Sequence, residues 1–228
     1  MGYHVMPTAE ELAELYQRQE ADDAVAHTAI GGTSEAIAQN LLTCFGWIDS
    51  PGRTLEVGPG EGAMTDELTK LRDDIVVLEP FASVDYASKG VVHYSSLDDI
   101  PSGQRFKWIF MIEVIEHVAD PIVYLRDLGR FLEPQGKIIV TTPNAAGWKA
   151  RIKKASWKQL LNPTHLNLFG PDALKTVFER AGYRQVHRSR KPMAYKSNFL
   201  ANALLGIMQI TGMDGGLRIV ASDWHEQD

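Results

Sequence analysis

The sequence predicts an α/β domain: a doubly wound, mostly parallel sheet of seven strands. Three observations lead there. Short apolar runs alternate with amphipathic helical stretches from residue 54 onward, a glycine-rich turn follows the first run, and the fourth run, Trp108–Ile112, is apolar throughout, as a strand covered on both faces must be. Taken in order, Thr8–Asp23 reads as a helix, with Thr8 as cap, Glu11 three residues on, and Leu12, Leu15 and Tyr16 on one face. Ser34–Phe45 is a second helix with Ile37, Leu41 and Leu42 inward. Strands follow at Thr54–Val57, Ile75–Leu78, Val91–Tyr94, Trp108–Ile112 and Lys137–Thr141, the last opened by Gly136. Helices are expected over Ala63–Leu71 and Pro121–Phe131, with a looped or helical stretch near Phe81–Ser88. A helix Pro171–Ala181 stops at Gly182, a good C-terminal cap. Strands Tyr183–Arg188 and Leu217–Ala221, joined by an apolar helix over Ser197–Ile210, complete the sheet.

The composition narrows the function classes. A chain of 228 residues, 44% hydrophobic and 23% charged, suits one well-packed domain. No repeat or linker interrupts it, so residues 1–228 read as a single domain, with 1–50 as a helical cap and 145–166 as an insert over the sheet. The net charge of −6 argues against a globally basic nucleic-acid binder. A single cysteine, Cys44, excludes an internal disulfide and a multi-cysteine zinc site, and is expected to be a small buried hydrophobe. The start of the chain shows no secretory signal pattern, and the longest apolar stretch, Phe199–Met213, is broken by Asn202, Gly206, Gln209 and Gly212. A cytoplasmic location is the expectation. No motif speaks to oligomeric state.

The chemistry begins at Leu55-Glu56-Val57-Gly58-Pro59-Gly60-Glu61-Gly62-Ala63, between a strand and a helix. Glycines let the backbone turn sharply there and approach a ligand, while helix N–H groups face it. Glu79 ends the next strand, 17 residues after Gly62, where a carboxylate can accept both hydroxyls of a ribose. Gly58-x-Gly60-x-x-Ala63 also satisfies the dinucleotide fingerprint, so an NAD(P)-binding oxidoreductase stays open on these residues. Glu56, just before the loop, favours a nucleoside without a pyrophosphate, because its charge would repel a diphosphate and suits a cationic ligand.

At this point the chain resembles the class I S-adenosylmethionine-dependent methyltransferases, in particular small-molecule O-methyltransferases of the ubiquinone-biosynthesis type. The resemblance runs in order from Thr54 to Gly182. It is carried by the glycine loop, the Glu79 strand end, Ser95-Ser-Leu-Asp-Asp-Ile-Pro101, Phe110-Met-Ile-Glu-Val-Ile-Glu-His-Val-Ala-Asp-Pro121, Leu132-Glu-Pro-Gln-Gly-Lys-Ile-Ile-Val-Thr-Thr-Pro-Asn144 and His165-Leu-x-Leu-Phe169. It implies a Rossmann-like methyltransferase fold and S-adenosylmethionine as cofactor. Glu56, Gly58, Pro59, Gly60 and Gly62 would line the methionine and ribose end, and Glu79 with Pro80 the ribose. Ser96 and Leu97 would flank adenine, and Met111 and Ile112 would border the methionine moiety. Ser96 stands where many relatives carry Asp, which shifts the adenine contact to backbone groups or to Asp98.

Glu113, Glu116 and His117 follow the fourth strand at spacing i, i+3, i+4 and would share a helix face if the turn begins by Glu113. Three roles fit them. His117 or His165 can be a general base beside Glu113; the trio with His165 can hold a divalent cation, Mg²⁺ or Zn²⁺, as the resemblance implies; or Glu116 and His117 can brace the loop. Residues 145–164 carry Lys149, Arg151, Lys153, Lys154 and Lys158 with no acid, interleaved with Trp148, Ile152, Trp157, Leu160 and Leu161. That pattern fits an acidic or phosphorylated acceptor, transient contact of residues 148–161 with a membrane surface, or a solvated basic helix whose tryptophans pack inward.

The expected function is methyl transfer from S-adenosylmethionine to a hydroxyl of a small-molecule acceptor: a metabolite, sugar or natural-product intermediate. The alternatives are N-methylation of a small molecule, metal-dependent 2′-O-methylation of an RNA end, the oxidoreductase above, and a silent cofactor-binding protein. The Ile112-Glu-Val-Ile115 run, in place of an Asn-Pro-Pro-Tyr type motif, disfavours nucleobase and protein-amide N-methylation.

Overall fold

The computed structural model describes residues 42–191 and 199–226. The expected helix over Thr8–Asp23 and most of that over Ser34–Phe45 lie outside the described residues; Leu42–Phe45, the end of the second, is helical.

Seven strands form one sheet: β1 (Thr54–Val57), β2 (Ile75–Leu78), β3 (Val92–Tyr94), β4 (Phe106–Ile112), β5 (Leu132–Pro143), β6 (Tyr183–Arg188) and β7 (Gly216–Trp224). Their spatial order is β3-β2-β1-β4-β5-β7-β6. All pairings from β3 to β5 are parallel, and β7 runs antiparallel between β5 and β6. The strand order reverses between β1 and β4, the place where an open α/β sheet leaves a crevice for ligands at its carboxyl end.

Alternation along each strand splits the core in two. Leu55, Val57, Ile109, Met111, Ile138 and Val140 face one side with Leu125, Leu128, Leu174 and Phe178. Trp108, Phe110, Ile139 and Val77 face the other with Leu42, Trp47 and Leu68. The first side is covered by α2 (Pro121–Gly129) and α5 (Pro171–Arg180), the second by α1 (Ala63–Thr69). Both α2 and α5 start on a proline in the first turn, where its missing N–H costs nothing. Asp120 caps α2 by accepting from the N–H groups of Ile122 and Val123.

Element boundaries depart from expectation where tertiary contacts extend them. Strand β5 starts at Leu132 rather than Gly136, because Leu132 pairs with Phe106 before the register shifts and Lys137 pairs with Trp108. The intervening Glu133-Pro-Gln-Gly136 reads as a turn in isolation. The insert is broken into α3 (Trp148–Lys153) and α4 (Lys158–Leu161), with Lys154 between them at φ 46°. Its Trp157 is buried, whereas Trp148 is half-buried. Cys44 is half-buried, not buried, and burial pushes its thiol up. The apolar helix of the β6–β7 connection forms as α6 (Phe199–Thr211).

Candidate active site

The loop after β1 is held from several sides. The Gly60 N–H donates to Glu79 Oε2 at 3.3 Å, and the Phe81 N–H donates to Oε1 at 3.0 Å, so both oxygens of Glu79 are oriented at the tip of β2. Tyr86 donates its hydroxyl to the Gly60 carbonyl at 2.7 Å. Gly58 is required twice over. Its φ is 65°, and a Cβ there would lie 2.6 Å from Val114 Cγ2. Gly60, at φ 55°, would place a Cβ in open space; there glycine serves the turn, and the backbone stays open to a ligand.

Glu56 is buried beneath this loop and accepts from Thr65 Oγ1 at 2.7 Å. Burial pushes its carboxyl up to about 7, against the opposing pull of the Thr65 hydroxyl. A buried carboxyl in that state suits a cationic group brought beside it. Pro59 is half-buried and Pro80 exposed, each in the turn its strand feeds. Ser96 is exposed and belongs to a capping box: its N–H donates to Asp99 Oδ2 at 2.9 Å. The Asp99 carboxylate is thereby committed to the turn. Leu97 packs against the core, Met111 is buried and Ile112 is half-buried at the strand tip.

The second group of residues gathers at the tips of β4 and β5. The expected common helix face does not form. Glu113 sits at φ 54°, and the single 3-10 turn covers only Ile115–His117. Glu113 is instead tied to β5, its N–H donating to the Thr141 carbonyl and its Oε1 accepting from Thr141 Oγ1 at 2.8 Å. Glu116 is buried and accepts from Thr142 Oγ1 at 2.9 Å. His117 donates from Nδ1 to the Thr164 carbonyl at 2.9 Å, and His165 from Nδ1 to the Gln159 carbonyl at 3.0 Å. A carbonyl can only accept, so Nδ1 carries a proton in both rings, and Nε2 is the acceptor nitrogen whenever the ring is neutral. The two rings meet edge to face with centroids 4.8 Å apart.

Among the described residues, Glu116, His117 and His165 form a group whose ligand atoms all lie within 4.8 Å of one another, and Glu113 is not part of it. The two carboxyls still sense each other. Burial, and then the charge of Glu113, push Glu116 up to about 8. Glu113 is also raised, first by burial of its carboxyl, although the residue as a whole is exposed at its turn. One carboxyl and two imidazoles oriented through Nδ1 suit a divalent cation, which would favour the ionised carboxyl, or proton transfer at a ring nitrogen.

Several members of this site carry no motif. Thr65, Thr141, Thr142 and Thr164 hold the acidic and imidazole groups, Tyr86 holds the Gly60 carbonyl, and none stands out by spacing. Thr141-Thr142 does lie within the Leu132–Asn144 stretch, and paired hydroxyls at the end of an apolar strand are the one signal that marks them.

Comparison with known proteins agrees with this architecture. A family model described as a methyltransferase domain matches residues 29–188. The ubiquinone biosynthesis O-methyltransferase of Cereibacter sphaeroides is 28% identical over 152 residues, 60% of this chain and 62% of that protein. The protein of the same name from Bradyrhizobium diazoefficiens is 30% identical over 118 residues, 48% of this chain and 45% of that one. The chain thus spans less than two thirds of the curated relatives it matches. Among solved structures, a SAM-dependent methyltransferase from Thermotoga maritima superimposes with TM-score 0.64 at 16% identity, over 93% of this chain and 99% of that one. One from Archaeoglobus fulgidus gives 0.57 at 16% identity, over 83% and 94%. These two share the fold. With the seven-stranded order 3-2-1-4-5-7-6 and an antiparallel seventh strand beside the family match, the chain belongs to the methyltransferase-domain family, within the class I S-adenosylmethionine-dependent group.

Proposed function

We propose that this chain transfers the methyl group of S-adenosylmethionine to a hydroxyl of a small-molecule acceptor bound above the tips of β4 and β5. The observation that supports it most directly is the pair His117 and His165. Both are oriented through Nδ1 to backbone carbonyls, and their ring nitrogens lie close to buried Glu116. In this reading Glu79 takes the ribose hydroxyls, and Glu56 faces the cationic end of the cofactor beneath the glycine loop. The acceptor hydroxyl lies against Nε2 of His117 or His165. The oxygen attacks the methyl carbon in line, the carbon–sulfur bond breaks with its electrons passing to sulfur, and the hydroxyl proton passes to Nε2. Holding two reactants in that line supplies much of the rate acceleration in such a transfer. The likeness to ubiquinone biosynthesis O-methyltransferases favours oxygen as the acceptor atom.

The donor set also fits a divalent cation such as Mg²⁺ or Zn²⁺, because Glu116, His117 and His165 bring three ligand atoms within 4.8 Å of one another. Those three residues would hold it, and it would neutralise the carboxylates and lower the pKa of a nearby hydroxyl.

Calorimetry with S-adenosylmethionine, its demethylated product and NAD, in EDTA and with added Mg²⁺ or Zn²⁺, tests the reading. Binding of the first two alone is expected. Binding of NAD, or of none of the three, would overturn it. A screen of phenolic and catecholic acceptors then reads methyl transfer, and tight cofactor binding with no turnover across it would leave a silent binding protein as the better account.

A further inference from the structure

Four tyrosines lie among the described residues, and three of them spend their hydroxyls on the protein. Tyr86 donates to the Gly60 carbonyl, Tyr94 to Gln104 Oε1 at 3.1 Å, and Tyr183 to the Leu125 carbonyl at 3.0 Å. Tyr124 is the exception. It is half-buried and closes the first turn of α2, its N–H donating to the Asp120 carbonyl at 3.0 Å. Its hydroxyl meets no hydrogen-bond partner among the described residues, yet it is not sealed inside the core. Tyrosine hydroxyls taken into a protein usually find a partner, so this one calls for a reason.

The surroundings of Tyr124 supply one. It packs against the same core as Tyr94 at the end of β3, Leu97 in the turn that follows, and Val114 and Val118 in the loop after β4. All of these belong to the carboxyl end of the sheet. The Glu79 N–H donates to the Tyr94 carbonyl at 3.0 Å, which ties the tip of β2 to this group. Val114 in turn reaches the glycine loop, since a Cβ on Gly58 would come within 2.6 Å of its Cγ2. The phenol also feels Glu79: burial first, and then the charge of that carboxylate, push its ionisation up. At neutral pH it therefore stays a hydroxyl with a proton to donate.

The polar side chains expected to meet adenine are engaged elsewhere. Ser96 and Asp99 satisfy each other's backbone in the capping box, and Asp98 is exposed. We infer that Tyr124 is a cofactor-binding residue: its ring flanks the adenosine of S-adenosylmethionine together with Leu97, and its hydroxyl donates a hydrogen bond at the junction of base and ribose. The inference rests on the reading in which Glu79 takes the ribose hydroxyls, and it adds a contact that lies outside the glycine loop and both strand tips. A phenol suits that place because it offers an apolar face to the base and a polar edge to its rim. Adenine N3, the ring nitrogen nearest the sugar, is an acceptor.

Calorimetry of the full chain with S-adenosylhomocysteine, the demethylated product, tests this without an acceptor. Tyr124→Phe removes only the hydroxyl, and affinity should fall by about fivefold, the worth of one neutral hydrogen bond. The melting temperature without cofactor should stay where it is, because that hydroxyl has no partner in the protein to lose. Tyr124→Ala takes the ring as well and should cost more affinity than Tyr124→Phe. A product analogue with carbon in place of adenine N3 should bind the unaltered chain more weakly than the natural product, and should lose nothing further in Tyr124→Phe. Unchanged affinity in Tyr124→Phe overturns the inference, and a loss in Asp98→Asn instead would give the contact to Asp98. A penalty for the analogue that is equal in both chains overturns it too, as does a loss of affinity matched by a lower melting temperature. If the unaltered chain does not bind S-adenosylhomocysteine at all, the reading of the cofactor falls with it, a result distinct from failure of the variants alone.

Discussion

The glycine loop and the Glu113–His165 region lie side by side at the carboxyl end of the sheet, yet they are built in opposite ways. The loop is nearly continuous in sequence: Glu56 through Gly62, with Glu79 and Tyr86 reaching in from the next strand and its connection. The other region draws on four separated stretches, around residues 113–117, 141–142, 159 and 164–165. The first stores its geometry in backbone conformations that glycine alone adopts without strain. The second stores it in hydrogen bonds between distant side chains and carbonyls, which exist only once β4, β5 and the insert are assembled. A motif can encode the former, and the latter has to be read from the folded chain.

The dispersed region carries the largest expected effect. His117→Ala removes one of the two proposed proton acceptors, and where it is the one used a loss of about 10²- to 10⁴-fold in kcat is expected, with cofactor affinity little changed, by steady-state kinetics beside calorimetry. An equal loss of cofactor affinity would show that the two regions are one unit. The converse test is Glu79→Ala. It deletes a carboxylate that orients Gly60 and Phe81 and would take the ribose, so cofactor affinity should fall by about a hundredfold or more, as two charge-assisted hydrogen bonds disappear.

Buried Glu56 sharpens the comparison through pH. Its carboxyl is pushed up to about 7 in the fold from an ordinary 4.5, so between those values the folded chain holds a proton that the unfolded chain has released. Its contribution is therefore fully present below about 4.5 and is lost as pH rises toward about 7, by up to about 3 kcal/mol, measured as unfolding free energy against pH in the absence of cofactor. Glu56→Gln should flatten that part of the profile. In the same reading, affinity for the cationic cofactor rises through this range, because only the ionised carboxyl attracts it.

The smallest effect joins the two regions physically. Gly58→Ala drives a methyl into Val114, one residue after Glu113, and should cost about 2 kcal/mol of stability. Pairing it with Val114→Ala should recover part of that loss. Recovery of melting temperature without recovery of cofactor binding would place the remaining damage in the φ of residue 58 itself.

Much of the frame is legible in the residues. The strands at 54–57, 75–78 and 183–188 fall where apolar runs bounded by turns place them. Asp120-Pro121 and Gly170-Pro171 announce the starts of α2 and α5. Strand β5 is less legible, since Glu133-Pro-Gln-Gly136 carries turn chemistry and only its pairing with β4 extends the strand back to Leu132. The i, i+3, i+4 spacing of Glu113, Glu116 and His117 misleads for a related reason. It assumes a helix, whereas Thr141 draws Glu113 into a positive-φ turn and the helical turn starts only at Ile115.

The order of strands and helices, the glycine loop with its acidic partner at Glu79, and the basic character of the insert are all written in local sequence, because each depends on near neighbours in the chain: period, turn chemistry and charge run. Folding alone sets Glu113 apart from the group that Glu116 forms with His117 and His165, orients both imidazoles through Nδ1, and leaves Leu204, Ile207 and Ile210 of α6 exposed. Those outcomes depend on which distant carbonyl, hydroxyl or surface arrives beside a side chain, and spacing along one segment carries no record of that arrival.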